Sequence, residues 1–585
     1  MSRSGKRWLA AALIAGLGNA VLFASSNFVR DDAFTFFRYT DNFVGGHGLS
    51  WNAGGERVEG YTSFLWLMLL VGARRLGIED LPWLVQLLDV GLYLGLVASA
   101  YGLAALVGAR RAGPLGACLI ASSGLLAYIA RGGMEPMLFA CLATLAIGGA
   151  LRWATSGGAT LSGLLFGLAA LARPEGLLLF AVFCAWALRD GERLRERAFL
   201  IRVAAAASVF VPHLAWRRWY YGDWLPNTYY AKIPALSFAR FERGLLGLLS
   251  VLESPSGALL LAAIALHALA PRRRGRDLVL MLVLVSIAYV TLFIGLERFN
   301  WNEYYNVPVI VFSLVLLAAA AAELAHAADW SWTAPRPAIA ILGGALIVAS
   351  ALAPRLSWAH AADTAWIARG AALALGALLA LAPLGRAGRG LAAAGLALLF
   401  LINVQRRQEY ADGPWKAPAL IDPPDGPVTV DYVQMGRLLH ALARPGDTMT
   451  TGPCGAIPYY AGLVTYDALG LNDRHIARQP VDDPWRRPFG HEKGDGRYLF
   501  ALRPTFVLPI WRLTPRPEPA CPWDKSFTEL FALPEFRRDY EYRAVPMEGG
   551  RYLQLYTRRD VGDRPELRQL PASAVRASCP SDQLP

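Results

Sequence analysis

NFVRDDAFTFFRYTDNFVGGHG, residues 27–48, follows directly on an apolar run at the start of the chain. Two adjacent carboxylates, Asp31 and Asp32, stand where such a run gives way to water. Phe34, Phe36, Phe37 and Tyr39 come at once behind them. Phe36, Phe37, Thr40, Phe43 and Val44 recur at helical spacing. The stretch therefore predicts a short amphipathic helix over 33–44, ended by Gly45 and Gly46 and laid on a bilayer surface. The aspartates have two readings. One caps the helix. Alternatively, held ionised by the helix dipole at the lipid–water boundary, it serves as a general base or metal ligand for a substrate that is part lipid and part polar.

The rest of the 585 residues supplies the membrane. Hydrophobic residues make up 55% of the chain and charged ones 17%, below the roughly 25% charged of soluble domains. Long apolar runs recur up to residue 404 and then stop. The expected organisation is a transmembrane domain over 1–404, with a large outer loop at 26–81, and a soluble α/β domain over 405–585. The spans fall at roughly 8–25, 82–107, 114–130, 135–151, 159–172, 174–188, 199–219, 256–270, 278–295, 305–325, 337–353, 371–385 and 391–404, about thirteen in all. The runs 61–73 and 241–252 are read as interfacial helices on the outer side.

The formal net charge is +12, yet nucleic acid is not indicated. Residues 405–585 are nearly balanced, with 24 Lys/Arg against 23 Asp/Glu, and a nucleic-acid site needs a basic face. The excess lies in short loops: Arg3/Lys6/Arg7, Arg110/Arg111, Arg152, Arg189 to Arg202, Arg272 to Arg276, and Arg386/Arg389. By the positive-inside rule those ends are cytoplasmic. The aspartate loop, Glu135, Arg173–Glu175, 220–232, 297–305 and the C-terminal domain then face outward, and five polar outer loops read as the walls of one site.

Within that site, Lys232 in "PNTYYAK" is a candidate for binding an anionic group; its competing reading is a snorkelling interfacial lysine. Arg38 lies one turn after Phe34 and either reaches the same group or pairs with Asp41 or Glu59. Glu135 in "GGMEP" starts a span before Pro136 and is a catalytic or a capping carboxylate. Arg173 and Glu175 flank Pro174, and either reach substrate or pair with each other. Tyr229, Trp301 and neighbouring aromatics either stack on sugar or form the interfacial belt.

In the outer domain, 428–430, 448–451, 506–509 and 552–556 read as strands and 433–443 as a helix. Two polar clusters stand out: "DALGLNDRHI", with Asp467, Asn472, Asp473 and His475, and "FGHEKGDG", with His491, Glu492, Lys493 and Asp495. A metal held by His475, His491 and Glu492 has no diagnostic spacing, and hydrogen bonds to sugar hydroxyls or phosphate are the preferred reading. The competing one is loop residues satisfying their own turns. Cys454, Cys521 and Cys579 allow one disulfide with one thiol over.

The segments "DDAFTFFRYTDNFVGGHGLSWNAGGERVEGYTSFLW", "RGGMEPMLFA", "LARPEGLLL", "YYGDWLPNTYYAK" and "GPCGAIPYYAGLVTYDALGLNDRHIA" occur in this order. Together they resemble the glycosyltransferase C fold, and within it the mycobacterial-type terminal β-1,2-arabinofuranosyltransferases. Two features depart from that pattern: Cys454 stands where a small residue is usual, and the Arg-rich tail after Asp560 has no counterpart.

The resemblance implies a bacterial inner-membrane, multi-pass enzyme with its active site and C-terminal domain on the periplasmic side. Its donor would be a polyprenyl-phosphate sugar resembling decaprenyl-phosphoryl-arabinofuranose, and its acceptor a glycan or glycoconjugate. Asp31, Asp32 and Glu135 would be catalytic, and Lys232, Arg38 and Arg173 would bind the donor phosphate. Glu59, Tyr61, Tyr229, Trp301, Asn472, Asp473, His475, His491, Glu492 and Lys493 would contact sugar or acceptor. The sequence specifies no cofactor; a divalent cation is compatible with the carboxylate pair. Two alternatives stay open from the residues: a mannosyl- or aminoarabinose-type transferase on the same scaffold, and a transporter or flippase of lipid-linked sugars. Against the latter, no inverted repeat of broken helices is evident.

Overall fold

The structure is a computed structural model that describes residues 3–24, 29–109, 111–152, 155–189, 197–233, 238–252, 255–295, 303–327, 428–481, 490–517, 519, 522 and 524–561. The chain folds as two compact units that interleave along the sequence. One comprises Met1–Asn27, Gln86–Phe210 and Phe241–Trp415; the other comprises Phe28–Val85, Val211–Arg240 and Lys416–Pro585. Residues 28–85 and 211–240 thus fall in the same compact unit as the C-terminal segment; the expected boundary at 404/405 lies outside the described residues.

The helical unit is built from apolar helices. Four described helices are long and apolar enough to cross a membrane: Leu81–Val107, Arg197–Tyr221, Arg274–Ile294 and Tyr304–His326. Shorter apolar helices include Ala112–Ala121, Pro136–Arg152, Ser156–Ala172, Glu175–Leu188 and Leu259–Leu269. The spans expected at 337–353, 371–385 and 391–404 lie outside the described residues. Small residues set the packing, as expected where lipid provides no hydrophobic drive between helices. A methyl group on Gly163 would sit 2.3 Å from the Arg202 carbonyl oxygen, and one on Gly167 2.5 Å from Val209 Cβ. Helix Ser156–Ala172 can therefore lie backbone-close to Arg197–Tyr221 only with glycine there.

The sheet unit is organised by a five-stranded sheet: β1 Thr448–Thr451, β2 Val464–Asp467, β3 Phe506–Leu508, β4 Tyr540–Met547 and β5 Arg551–Arg558. The order is β2-β1-β3-β5-β4. The β1–β2 and β1–β3 pairs are parallel, and β5 pairs antiparallel with β3 and β4. The β4–β5 hairpin turns through Gly549 and Gly550 at φ +77° and +70°, a backbone region that glycine enters without steric cost. Its core gathers Leu499, Val507, Phe527, Leu530, Phe536 and Tyr556.

Residues 428–430, expected as a strand, instead open the helix Val428–Leu442. The β-branched residues there suggest a strand locally. Tyr432, Met435 and Leu439, buried at helical spacing, override that preference. β2 and β4 were not expected from the sequence.

The opening stretch is the helix Asp31–Val44, ended by Gly45, whose N–H donates to the Asp41 carbonyl. Its apolar face packs largely into protein, with Phe43 half-buried and Val44 exposed at its end. Phe34, Phe36 and Phe37 are buried. Phe34 meets the rings of Tyr459 and Tyr460, each at 5.6 Å, and Phe36 meets Tyr61 at 6.2 Å. Phe34 and Phe37 pack against rings more than 400 residues away in the chain, and Phe36 against the nearer Tyr61. The interfacial run at 61–73 forms the helix Phe64–Arg75, capped by Ser63, with Trp66, Leu67 and Leu70 buried. The run at 241–252 belongs to helix Phe238–Leu252.

Candidate active site

In the sheet unit, neither aspartate caps its helix. The N-cap residue is Arg30, and no side chain bonds there. Asp31 turns its carboxylate onto a different segment: the Ala456 N–H donates to Asp31 Oδ1 at 2.6 Å. Close approach makes this possible. A methyl group on Gly455 would lie 1.9 Å from the Asp31 carbonyl oxygen and 2.5 Å from its Cγ. Only glycine at 455 lets "GPCGAIP" cradle the carboxylate. Thr35 adds a bond from Oγ1 to the Cys454 carbonyl at 3.0 Å.

Burial pushes the Asp31 carboxyl up to about 7; the Ala456 N–H opposes the rise, the Asp32 charge adds to it, and the Gly455 N–H opposes it. Among the described residues no ion pair offsets it. Among the described residues Asp32 has no side-chain hydrogen bond or ion pair. The result is one oriented carboxyl titrating near neutrality beside a second, unengaged one. The neighbouring Cys454 is a free, buried thiol. Burial raises it well above its ordinary value, with Asp467, Asp32 and Asp31 adding to the rise and Lys232 opposing it. The charges of the aspartate pair and of Lys232 thus converge on one buried atom. The Lys232 stem also packs over Gly490, where a methyl group would lie 3.3 Å from its Cγ.

Several residues expected at the site hold the unit together instead. Arg38 pairs with neither Asp41 nor Glu59. Four of its five N–H donors reach the carbonyls of Trp51, Pro458 and Leu463 and the Asn52 Oδ1, at 2.6–2.8 Å. Its guanidinium also lies over the Trp51 ring at 4.5 Å. A guanidinium so occupied is a clamp between the aspartate helix and the C-terminal segment, not an open phosphate ligand. Asp41 pairs with Arg74 at 2.7 Å. Glu59 is buried in a bidentate pair with Arg217, at 2.7 and 3.0 Å; burial still pushes its carboxyl up to about 7 against that guanidinium. Tyr61 is buried, its hydroxyl 3.0 Å from that of Tyr221.

Asn472 accepts from the Tyr39 hydroxyl at 3.1 Å and donates to Asp467 at 3.1 Å. Asp467 also accepts from the N–H groups of Leu469, Gly470 and Asn472, folding its own loop. Asp473 caps the helix Arg474–Ala477, accepting from Ile476 N–H at 2.9 Å, and accepts from the Tyr498 hydroxyl at 2.9 Å. His475 lies 2.8 Å from Asp495 and stacks on Tyr498. Lys493 donates to the carbonyls of Tyr230 and Ala477, both at 2.7 Å.

His491 lies against Trp511 at 5.2 Å, Glu492 is buried, and Tyr229 packs edge-on to Tyr230. No three described His, Cys, Asp or Glu residues are arranged to hold a metal ion. Trp301, Cys521 and Cys579 lie outside the described residues.

In the helical unit, Arg173 binds Glu135 at 2.5 Å and Glu175 at 2.8 Å. All three are buried, and the guanidinium lies 5.3 and 5.1 Å from the Tyr304 and Tyr305 rings. Arg173 and Glu175 do pair, as their spacing allowed; the fold adds Glu135. Asp89, on helix Leu81–Val107, accepts from the Gly133 N–H at 2.8 Å just before this knot.

The sequence reading missed Gly455 and Ala456 as the partners of Asp31, and Arg217 as that of Glu59. The glycine had a signal, since it lies in a quoted motif. Arg217 had none, being lodged in an apolar run.

Residues 427–559 match a domain of unknown function (DUF8728), and no curated protein matches the chain. ArnT from Cupriavidus metallidurans, solved bound to undecaprenyl phosphate, is similar with a TM-score of 0.55 and 14% identity, over 96% of this chain and 100% of that one. The archaeal oligosaccharyltransferase AglB from Archaeoglobus fulgidus, in complex with an inhibitory peptide and a dolichol-phosphate, is similar with a TM-score of 0.50 and 12% identity, over 94% of this chain and 74% of that one. At such identities the likeness speaks for architecture: the chain has the glycosyltransferase C type of fold that these two proteins share.

Proposed function

We propose that the protein is a membrane glycosyltransferase that moves a sugar, D-arabinofuranose, from a polyprenyl-phosphate donor to a glycan or glycoconjugate outside the cytoplasm. The single observation that carries this reading is the Asp31 cradle: a carboxyl pushed up to about 7 by burial, oriented by the Ala456 N–H and without an ion-pair partner among the described residues. A general base works best with a pKa near the operating pH. The fold supports the donor class, since one relative of similar architecture was solved with undecaprenyl phosphate and another with a dolichol-phosphate. The choice of arabinofuranose rests on the five ordered motifs alone.

In this reading an acceptor hydroxyl attacks the anomeric carbon and passes its proton to Asp31. The anomeric C–O bond to phosphate breaks, and the phosphate oxygen keeps the electron pair. Lys232, whose charge reaches the same buried Cys454 as the aspartates, stabilises the departing phosphate. Direct displacement inverts the anomeric centre. A β product from a β donor would instead call for two displacements, with the aspartates dividing the roles of nucleophile and base. Arg38 and Arg173 are left as structural cations.

The test is Asp31→Asn in the purified full chain, which keeps an oxygen for the Ala456 N–H but takes no proton at neutral pH. Transfer should fall about 10²–10⁴-fold while binding of the lipid donor persists. Near-parental transfer by folded Asp31→Asn and Asp32→Asn proteins would remove the base. Lys232→Ala should weaken donor binding more than acceptor binding; unchanged donor affinity would make Lys232 a snorkelling lysine.

A further inference from the structure

Within the sheet unit, the helix Val428–Leu442 runs alongside the short helix Ala456–Ala461. A methyl group on Gly436 would sit 2.7 Å from the Ile457 carbonyl oxygen and 3.1 Å from that of Ala456. His440, one turn on, brings Nδ1 to 3.2 Å from the Ala461 carbonyl oxygen. The two helices therefore run in the same direction. One turn back from Gly436, the same face reaches the turn at 452–455. The residue there is Tyr432, only 5% exposed. Asp31 lies at that turn too, its carboxylate held by the Ala456 N–H.

Trp511 brings a second side chain to the same place. Its indole nitrogen would lie 2.5 Å from a methyl group on Gly452, so Arg512 follows directly on a residue packed over the turn. The electrostatics agree with this placement. Burial pushes the Tyr432 phenol well above its ordinary value; among the charges Asp31 adds most, then Asp431, while Arg512 opposes the rise and Asp32 adds to it. The phenol thus keeps its proton at any working pH and stays a donor.

Neither donor is engaged. Among the described residues the Tyr432 hydroxyl makes no hydrogen bond, and the half-buried Arg512 makes no hydrogen bond or ion pair. A buried tyrosine hydroxyl ordinarily has a partner. An O–H and a guanidinium side by side match the oxygens of a phosphate, to which both make charge-assisted bonds. We infer that Tyr432 and Arg512 bind the phosphate of the lipid donor beside Asp31. This rests on the reading of the chain as a polyprenyl-phosphate transferase and deepens it: the C-terminal segment supplies two phosphate ligands in addition to Lys232.

The test titrates the purified full chain in mild detergent with undecaprenyl phosphate and, separately, with undecaprenol, which lacks the phosphate. Tyr432→Phe and Arg512→Gln should each weaken undecaprenyl phosphate binding about ten- to hundredfold, the worth of a hydrogen bond to a charged group. Undecaprenol should bind the parent and both variants alike. Tyr556→Phe, which removes a buried hydroxyl from the sheet core, should bind both lipids as the parent does. If Tyr432→Phe folds poorly, Arg512→Gln carries the test, with Arg512→Lys recovering part of the binding. Parental affinity for undecaprenyl phosphate in folded Tyr432→Phe and Arg512→Gln overturns the assignment and leaves the transferase reading standing. An equal loss for undecaprenol overturns it as well, since the variants would then act through the fold. A parent that binds undecaprenyl phosphate no better than undecaprenol removes the donor class itself, and the assignment with it.

Discussion

In the helical unit, Glu135 and Glu175 close on Arg173 at 2.5 and 2.8 Å. In the sheet unit, Asp31 is enclosed without an ion-pair partner among the described residues, held by the Ala456 N–H and facing the like charge of Asp32. Both regions bury carboxylates. The first pairs them with a guanidinium, and the pairs fix the packing. The second leaves the carboxyl on backbone dipoles alone, so its proton is the degree of freedom. Glu59 falls on the structural side of this divide: burial also pushes it up to about 7, yet it is locked bidentately to Arg217. A raised pKa therefore does not mark the reactive group by itself. What distinguishes Asp31 from Glu59 is that, among the described residues, it has no ion-pair partner.

The sharpest way to break the comparison is to remove the cation. Arg173→Met leaves two buried carboxylates facing each other and should cost about 3–5 kcal/mol of stability, seen as lower insertion yield and an earlier thermal transition. Adding Glu135→Gln and Glu175→Gln should restore much of it. A parental melting temperature for Arg173→Met alone would mean that Arg173 neutralises nothing.

Next in size is the cradle. Gly455→Ala places a methyl group 1.9 Å from the Asp31 carbonyl oxygen, so the loop must withdraw. It should cost about 1–3 kcal/mol, as overpacking does, with a loss of transfer out of proportion to the loss of fold. Parental transfer by this variant would mean that Asp31 needs no orientation from Ala456.

Asp31→Asn sharpens the contrast through stability. The folded pKa of Asp31 lies above its ordinary value. Its contribution to stability is fully present below about pH 4 and is lost as pH rises through about 7. The variant should therefore melt at or above the parent temperature at pH 8, with the difference vanishing toward pH 4. A variant less stable than the parent at pH 8 would show that the charged carboxylate supports the fold.

The smallest effect separates capping from binding. Asp473→Ala should cost about 0.5–2 kcal/mol, the value of a lost N-cap, with the acceptor KM unchanged. A raised KM at parental stability would restore Asp473 as a sugar contact.

What the sequence disclosed follows the range of the interactions. The aspartate helix was legible to within two residues at its start and to the residue at its end, because glycines and period are local signals. Its environment was not. Phe34 and Phe37 look the same whether they meet lipid or Tyr459, and that partner lies some 420 residues downstream. For the same reason Asp31 read as a cap: the N–H that holds it belongs to Ala456. The pairing of Arg173 with Glu175 was legible from their spacing, whereas Glu135 joins them only through helix packing. β1, β3 and β5 were visible as apolar runs between turn residues. β4 was hidden by the charges on its outer face, and β2 by its brevity.

The central claim is that Asp31 gives up and takes a proton during transfer. Single-turnover transfer from a polyprenyl-phosphate sugar, followed from about pH 5.5 to 8.5, tests it most directly, since the chemical step is then read apart from product release. The account predicts a rate that climbs with pH and levels off above about 7, as the Asp31 carboxyl ionises, and an Asp31→Asn protein that is slow and flat across the window. A pH-independent rate in the parent, or the same acid limb surviving in Asp31→Asn, would contradict it.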